Sequence, residues 1–210
     1  MTGFEAIEKE QIELAKKVIR QDSFSKLELI GGMDIGFDKD KIFCSIVVFN
    51  RNMEVIEEHS ENRDCVIRYI PGFRAQRETG IMIDTFNKLK NKPDILFINA
   101  SGIMHPRKCG LASHLGIMLD QAVIGVTKHA LCGVITNQGV ILDDEVVARQ
   151  VMVSEKSRPI FVSTGNKISL DKSVEIVKAF LKPPHLMPEP LRMAKLLVKK
   201  QIRDHARRLS

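Results

Sequence analysis

The sequence predicts an α/β protein built on a mixed sheet with helices on both faces. Two patterns carry this expectation. The first is a run of three strand-like segments joined by short polar turns over residues 27–58, which reads as an antiparallel meander. The second is the alternation, beyond it, of short apolar runs with longer amphipathic ones, the order that lays helices across a partly parallel sheet. At the centre of that alternation stand residues 94–107, DILFINASGIMHPR. Their apolar run is too short for a helix and fits a strand buried on both faces that ends near Asn99. Ala100, Ser101 and Gly102 then permit a tight turn, and His105, Pro106 and Arg107 stand where a helical pattern through Leu111, Leu115 and Met118 begins. Ligands in open α/β sheets bind beyond the carboxyl ends of strands, so Asn99, Ser101, His105 and Arg107 are candidates for a site there. An ordinary connection with polar residues facing water is the competing reading.

Taken in order, residues 4–20 space Ile7, Ile12, Leu14 and Val18 among charges at helical intervals, an amphipathic helix. The stretch 27–38 follows as a strand in which Gly32 and Gly36 flank Asp34, small neighbours that would let a metal or phosphate approach the backbone. Strands over 42–49 and 53–58 complete the meander. Residues 65–73 are apolar until Pro71-Gly72 stops them, with the only tyrosine, Tyr69, just before the turn; packing under the loop is its plain explanation. A helix over 73–90 presents Ile81, Ile83, Phe86 and Leu89 on one face and carries Glu78, which taken alone reads as an exposed acid. After the central strand and the helix from Arg107 come a strand over 122–127 ending at Lys128, shorter segments around Val134 and Val140, and a strand over 159–166 whose tip is Asn166. Helices over 170–181 and from Pro190 onward close the chain. This is an RNase H-like layout in which the tips at Asp34, Asn99 and Asn166 can converge, and convergent carboxylates there would hold a hard divalent cation.

Over 210 residues the net charge is +6, which favours a polyanionic partner without establishing one. The excess lies late: Arg192, Lys195, Lys199, Lys200, Arg203, Arg207 and Arg208 face Asp204 as the only acid, so a basic helix from about residue 190 is expected, either a phosphate-contacting or a solvated face. With one Tyr and no Trp, an extended stacking platform for single strands is poorly supplied. Cys44, Cys65, Cys109 and Cys132 show no paired spacing and read as reduced thiols. No run is long enough to cross a bilayer, so one soluble, cytoplasmic domain acting as a monomer is the expectation.

Several motifs together resemble the endonuclease V family, the nucleases of deaminated bases. They are residues 32–37 (GMDIGF), 69–73 (YIPGF) with Arg77-Glu78, 102–107 ending in His-Pro-Arg, 110–114 (GLASH), and 124–128 (IGVTK) with 131–133, together with the late segments 163–170 and 188–190. The resemblance spans nearly the whole chain, and it implies an RNase H-like fold and metal-dependent hydrolysis of the second phosphodiester bond 3′ to an inosine, a DNA repair reaction. It assigns Asp34 and Glu78 as metal-binding acids, Lys128 as the catalytic lysine, and Tyr69, on the turn made by Pro71 and Gly72, as the residue that fills the stack when the lesion base turns out. His105 and Arg107 fall in its nucleic-acid-binding motif. Mg2+ is the implied cofactor, with Mn2+ as the alternative ion, and inosine-containing DNA the implied partner, with RNA as the alternative polymer.

Two positions depart from the family pattern. The family has aspartate where this chain has Asn99, and usually histidine where it has Asn166. Asn99 keeps an oxygen able to coordinate Mg2+, but at about 4 Å and an effective dielectric of roughly 20 the lost charge removes about 4 kcal/mol of attraction, so Asn99 is expected as a weak third ligand. Two functions therefore stand side by side: an endonuclease V-like enzyme, and a homologue that binds inosine-containing nucleic acid without cutting it.

Overall fold

The computed structural model describes residues 3–154 and 157–209. A helix α1 (Gly3–Ala15) precedes the meander β1 (Leu29–Asp38), β2 (Lys41–Asn50) and β3 (Val55–Asp64). Then come α2 (Arg74–Asn87), β4 (Ile95–Ile98), α3 (Leu111–Met118) and β5 (Ala122–Thr127), followed by four antiparallel strands, β6 (Val134–Thr136), β7 (Gly139–Leu142), β8 (Glu145–Val151) and β9 (Ile160–Asn166). Two helices, α4 (Leu170–Ala179) and α5 (Glu189–Leu209), end the chain. The strands form one nine-stranded sheet in the order β3-β2-β1-β4-β5-β9-β8-β7-β6. Among the described residues β4 pairs in parallel with β1 on one side and β5 on the other, and the remaining neighbours pair antiparallel.

Alternation along the central strands divides the core. Ile95 and Phe97 of β4 join Ile124, Ile176, Val177, Leu191 and Ala194 on the face covered by α4 and α5, whereas Leu96 and Ile98 join Ile81, Met82, Leu111 and Leu115 on the face covered by α2 and α3. Both faces are apolar because helices cover both. A third cluster, Ile103, Met104, Val140, Val147, Ala148 and Phe161, ties the β7–β9 arm to the turn after β4.

Several expectations shift. The first helix stops at Ala15 rather than running to Arg20, and β3 extends to Asp64 because it pairs with β2 as far as Lys41. The helix expected from Arg107 starts at Leu111: residues 105–108 close a turn through Lys108 N–H to the His105 carbonyl, and Lys108 sits at φ 52°, which no helix can include. β8 is an addition, and the hairpin before it turns on Asp143 and Asp144 at φ 50° and 59°, the double left-handed geometry of a tight two-residue loop. Gly32 also has another use than the one foreseen. A Cβ there would lie 2.1 Å from the Pro190 carbonyl carbon, so the missing side chain lets the start of α5 lie on β1.

Candidate active site

The parallel register sets the site. Met33 pairs with Ile98 and Ile98 with Gly125, which brings the next residues of β1 and β4, Asp34 and Asn99, abreast, with Lys128 just beyond the end of β5. Asn99 Nδ2 donates to Asp34 Oδ1 at 3.1 Å. Burial pushes the Asp34 carboxyl above the usual carboxylate range, although the Asn99 hydrogen bond, the Ile35 N–H, Lys195 and Arg74 pull against it. Lys128 is exposed at the rim. Asp34, Arg74, Asn99, Thr127, Lys128, His129, Met187, Leu191 and Lys195 enclose a cleft of about 250 Å³.

Glu78 is not the exposed acid its position in a helix suggests. It is 2% exposed on α2, and Arg74, one turn earlier, grips both its oxygens, Nε to Oε1 at 3.0 Å and Nη2 to Oε2 at 2.7 Å. Burial opposes the Arg74 charge, yet the hydrogen bond and charge of Glu78 more than offset it and hold the guanidinium pKa above its ordinary value. Arg74 Nη1 also leans toward the Asn99 carbonyl at 3.4 Å. Glu78, Arg74, Asn99 and Asp34 thus form one line of contacts across the mouth of the sheet. Lys195 enters the cleft from α5 and acts on Asp34 by charge.

Beside the cleft, Ile70, Pro71, Gly72 and Phe73 make a β-turn closed by Phe73 N–H to the Ile70 carbonyl, with Gly72 at φ 81°, as a turn with proline second and glycine third requires. Three donors converge on the Gly72 carbonyl: Gln11 Nε2 at 2.9 Å, His105 Nε2 at 3.2 Å and Arg107 Nη2 at 3.2 Å. His105 Nδ1 accepts the Arg107 N–H, so its proton is on Nε2. Burial, then the neighbouring Arg107 charge, lower the His105 pKa to about 4, keeping the ring neutral. The Arg107 guanidinium lies over the Phe73 ring at 4.7 Å and reaches Gln11 and Glu8 of α1. His105 and Arg107 therefore brace the turn from within, and His105 also lines the cavity behind it. Tyr69, at the tip, is 55% exposed, with Ile70, Ile67 and Val66 exposed around it, so packing under the loop does not account for it.

Behind the turn is a cavity of about 170 Å³ lined in part by Gly72, Ala100, Ser101, His105, Gly110 and Leu111. Arg74, Thr127 and His129 line both this cavity and the cleft, so the two adjoin. Asn166 takes no part. β9 is antiparallel to β5 and pairs Asn166 with Val123, which puts it at the opposite end of the sheet from Lys128. Its amide instead binds the Gly116 and Gln121 carbonyls and the Ile19 N–H, so the expected convergence reduces to Asp34 and Asn99. Sequence reasoning missed Arg74, Gln11 and the cleft role of Lys195. Arg74 carried a signal, a cation four residues before Glu78 on one helix face; Lys195 was hidden within a longer basic run.

Sheet order, parallel core and cleft define an RNase H-like α/β protein whose cationic pocket opens at the carboxyl ends of its parallel strands. The endonuclease V family model matches residues 12–196. Endonuclease V of Dictyoglomus thermophilum is 38% identical over 210 aligned residues, covering 95% of this chain and 91% of that protein. The crystal structure of Bacillus subtilis endonuclease V superposes with a TM-score of 0.89 at 25% identity, over 99% of this chain and 95% of that one. Ciona intestinalis endonuclease V, in complex with a 24mer DNA containing an inosine followed by a ribo-adenosine, superposes with a TM-score of 0.86 at 27% identity, over 97% of this chain and 99% of that one. The chain belongs to the endonuclease V family, nucleases that act on phosphodiester bonds.

Proposed function

We propose that this chain recognises deaminated bases in DNA, inosine first among them, and hydrolyses the second phosphodiester bond 3′ to the lesion. The observation that carries the reading is the adjacency of three parts: the exposed Tyr69 just before a braced turn, the cavity behind that turn, which Tyr69 also lines, and the cationic cleft that shares Arg74 with that cavity. The Ciona relative's complex with inosine-containing DNA supports the same substrate. An extruded base would enter the cavity, where glycine and alanine leave backbone groups within reach, and Tyr69 would occupy the vacated stack. Arg74, Lys128 and Lys195 would hold the adjoining phosphate and stabilise the charge that develops on its oxygens. Asp34 would accept a proton from the attacking water.

The family is metal-dependent in general, and Mg2+ bound by Asp34, Glu78 and Asn99 is the cofactor that the resemblance implies. Such an ion would lower the pKa of a bound water and neutralise phosphate charge. The donors as arranged do not fit it. Both Glu78 oxygens are taken by Arg74, Asn99 directs an N–H donor at Asp34, and no group of three or more His, Cys, Asp or Glu side chains able to hold a metal occurs among the described residues. These contacts favour a second reading, recognition without cutting. A labelled duplex with a single inosine, incubated with Mg2+ or Mn2+, separates the two: the first gives one product ending at the second bond 3′ to inosine, the second gives a retained complex and no product. Cleavage equally distributed over an undamaged strand would contradict both.

A further inference from the structure

We infer that the cleft holds the nucleic-acid phosphate with cations of this chain alone, Arg74 taking the electrostatic place of a divalent ion, so that binding needs no metal. This rests on the reading above that the cleft receives a phosphate.

Four observations carry it. First, hard cations bind carboxylate oxygens, and those of Glu78 are engaged, since this carboxylate is 2% exposed and has its two oxygens in a bidentate guanidinium fork. Second, the Asn99 N–H occupies the space between residues 99 and 34 where a bridging ion would need two oxygens. Turning the amide round would set its oxygen against the Asp34 carboxylate. Third, Asp34 and Glu78 are outnumbered by Arg74, Lys128 and Lys195, so the site is net positive before any ion enters. That balance suits the single negative charge of a phosphodiester and repels a divalent cation.

Fourth, Arg74 has donors to spare. A guanidinium carries five N–H groups. Glu78 takes two and the Asn99 carbonyl leans on a third, while 36% of the side chain stays exposed at the boundary of cleft and cavity. The remaining N–H groups can meet a phosphate lying between an extruded base and Lys128, and the Glu78 fork fixes the plane from which they point. Arginine suits that task as a planar donor of fixed geometry, which lysine does not reproduce.

The free-Mn2+ electron paramagnetic resonance signal, titrated with the full chain, and the affinity for a single-inosine duplex with and without EDTA together test this. The expected results are an undiminished Mn2+ signal and an affinity that EDTA leaves unchanged. Arg74→Lys, which keeps the charge and removes the fork, is expected to weaken duplex binding by about tenfold, the equivalent of one charge-assisted hydrogen bond. Stoichiometric loss of the Mn2+ signal that Asp34→Asn abolishes, duplex binding that EDTA removes, or full affinity in Arg74→Lys would each overturn the inference. Mn2+ uptake that survives Asp34→Asn lies outside the cleft and upholds it. Failure of the functional reading is visible separately: an undamaged duplex bound as tightly as the inosine one refutes lesion recognition, while the Mn2+ signal still reports on the cleft.

Discussion

Arg74 and Glu78 stand one helical turn apart on α2, joined by two near-parallel hydrogen bonds of 3.0 and 2.7 Å with the glutamate sealed from water. A buried carboxylate stripped of its partner keeps its desolvation penalty, so the pair matters more when broken than when formed. Arg74→Met should lower stability by about 3 kcal/mol near neutral pH, the low end of the range for a buried pair, because the guanidinium is partly exposed. Arg74→Met with Glu78→Gln should recover most of that stability. Urea unfolding of the single and double variants reads the difference; equal stabilities would show that the pair is a surface contact.

Asn99→Asp tests the neighbouring contact. It is close to isosteric, yet it replaces an N–H donor 3.1 Å from Asp34 with a second anion. Two carboxylates at that distance repel by an amount on the order of a few kcal/mol. The variant should unfold at lower urea than the parent at pH 7, and in combination with Arg74→Met, which frees Glu78, saturating Mn2+ should raise its melting temperature by linkage. A parent whose melting temperature already rises with Mn2+ would contradict this.

His105 makes the fold sensitive to acid. Its folded pKa, about 4, lies below the unfolded value near 6.5, so between the two the unfolded chain binds the additional proton and stability falls as pH falls. The neutral ring's contribution is fully present above about pH 6.5 and is lost as pH drops toward 4. His105→Gln, which can still donate to the Gly72 carbonyl, should flatten the urea midpoint between pH 6.5 and 4 relative to the parent. Parallel curves would place the titration elsewhere.

The basic face of α5 lends itself to a salt test. Ala194 and Val198 of this helix are buried, so removing the helix would unfold the protein, whereas Lys199, Lys200 and Arg203 are exposed. Their replacement by glutamine should reduce the slope of log affinity for duplex DNA against log salt by about 0.9 for each phosphate that is no longer neutralised, leaving inosine preference unchanged. An unchanged slope would assign these residues to a solvated face.

The meander, the parallel core and the polar tip after β4 were legible because each rests on local signals: period-two alternation, a short apolar run, and small residues at a turn. Asn99 could be placed from the end of its strand, whereas Asp34 lies inside β1, which runs on to Asp38 beside β2, and the two meet because the shorter β4 ends at Ile98. Asn166 could not be placed so simply, since a strand that reads the same in either direction gives no sign that β9 runs antiparallel to β5. The tight Asp143-Asp144 turn lacked the glycine that usually announces such a hairpin, and β8 went unseen with it. Arg107 fell within a nucleic-acid motif, but its guanidinium is committed to Gln11, Glu8 and Gly72, partners 35 or more residues away in the chain. The Arg74–Glu78 fork was visible as a spacing; its burial depended on the packing of α2 against the sheet.

Lesion recognition is tested most directly by competition binding of two otherwise identical duplexes, one with a single inosine and one undamaged, at one salt concentration, in the parent and in Tyr69→Ala. With Tyr69 half exposed, its removal should leave the fold intact. A base pair that must be opened costs a few kcal/mol, which the filled stack and cavity offset for inosine only. The account predicts that the parent prefers the inosine duplex by at least about tenfold, or 1.4 kcal/mol, and that Tyr69→Ala forfeits most of this preference. Equal affinity of the parent for the two duplexes would contradict it.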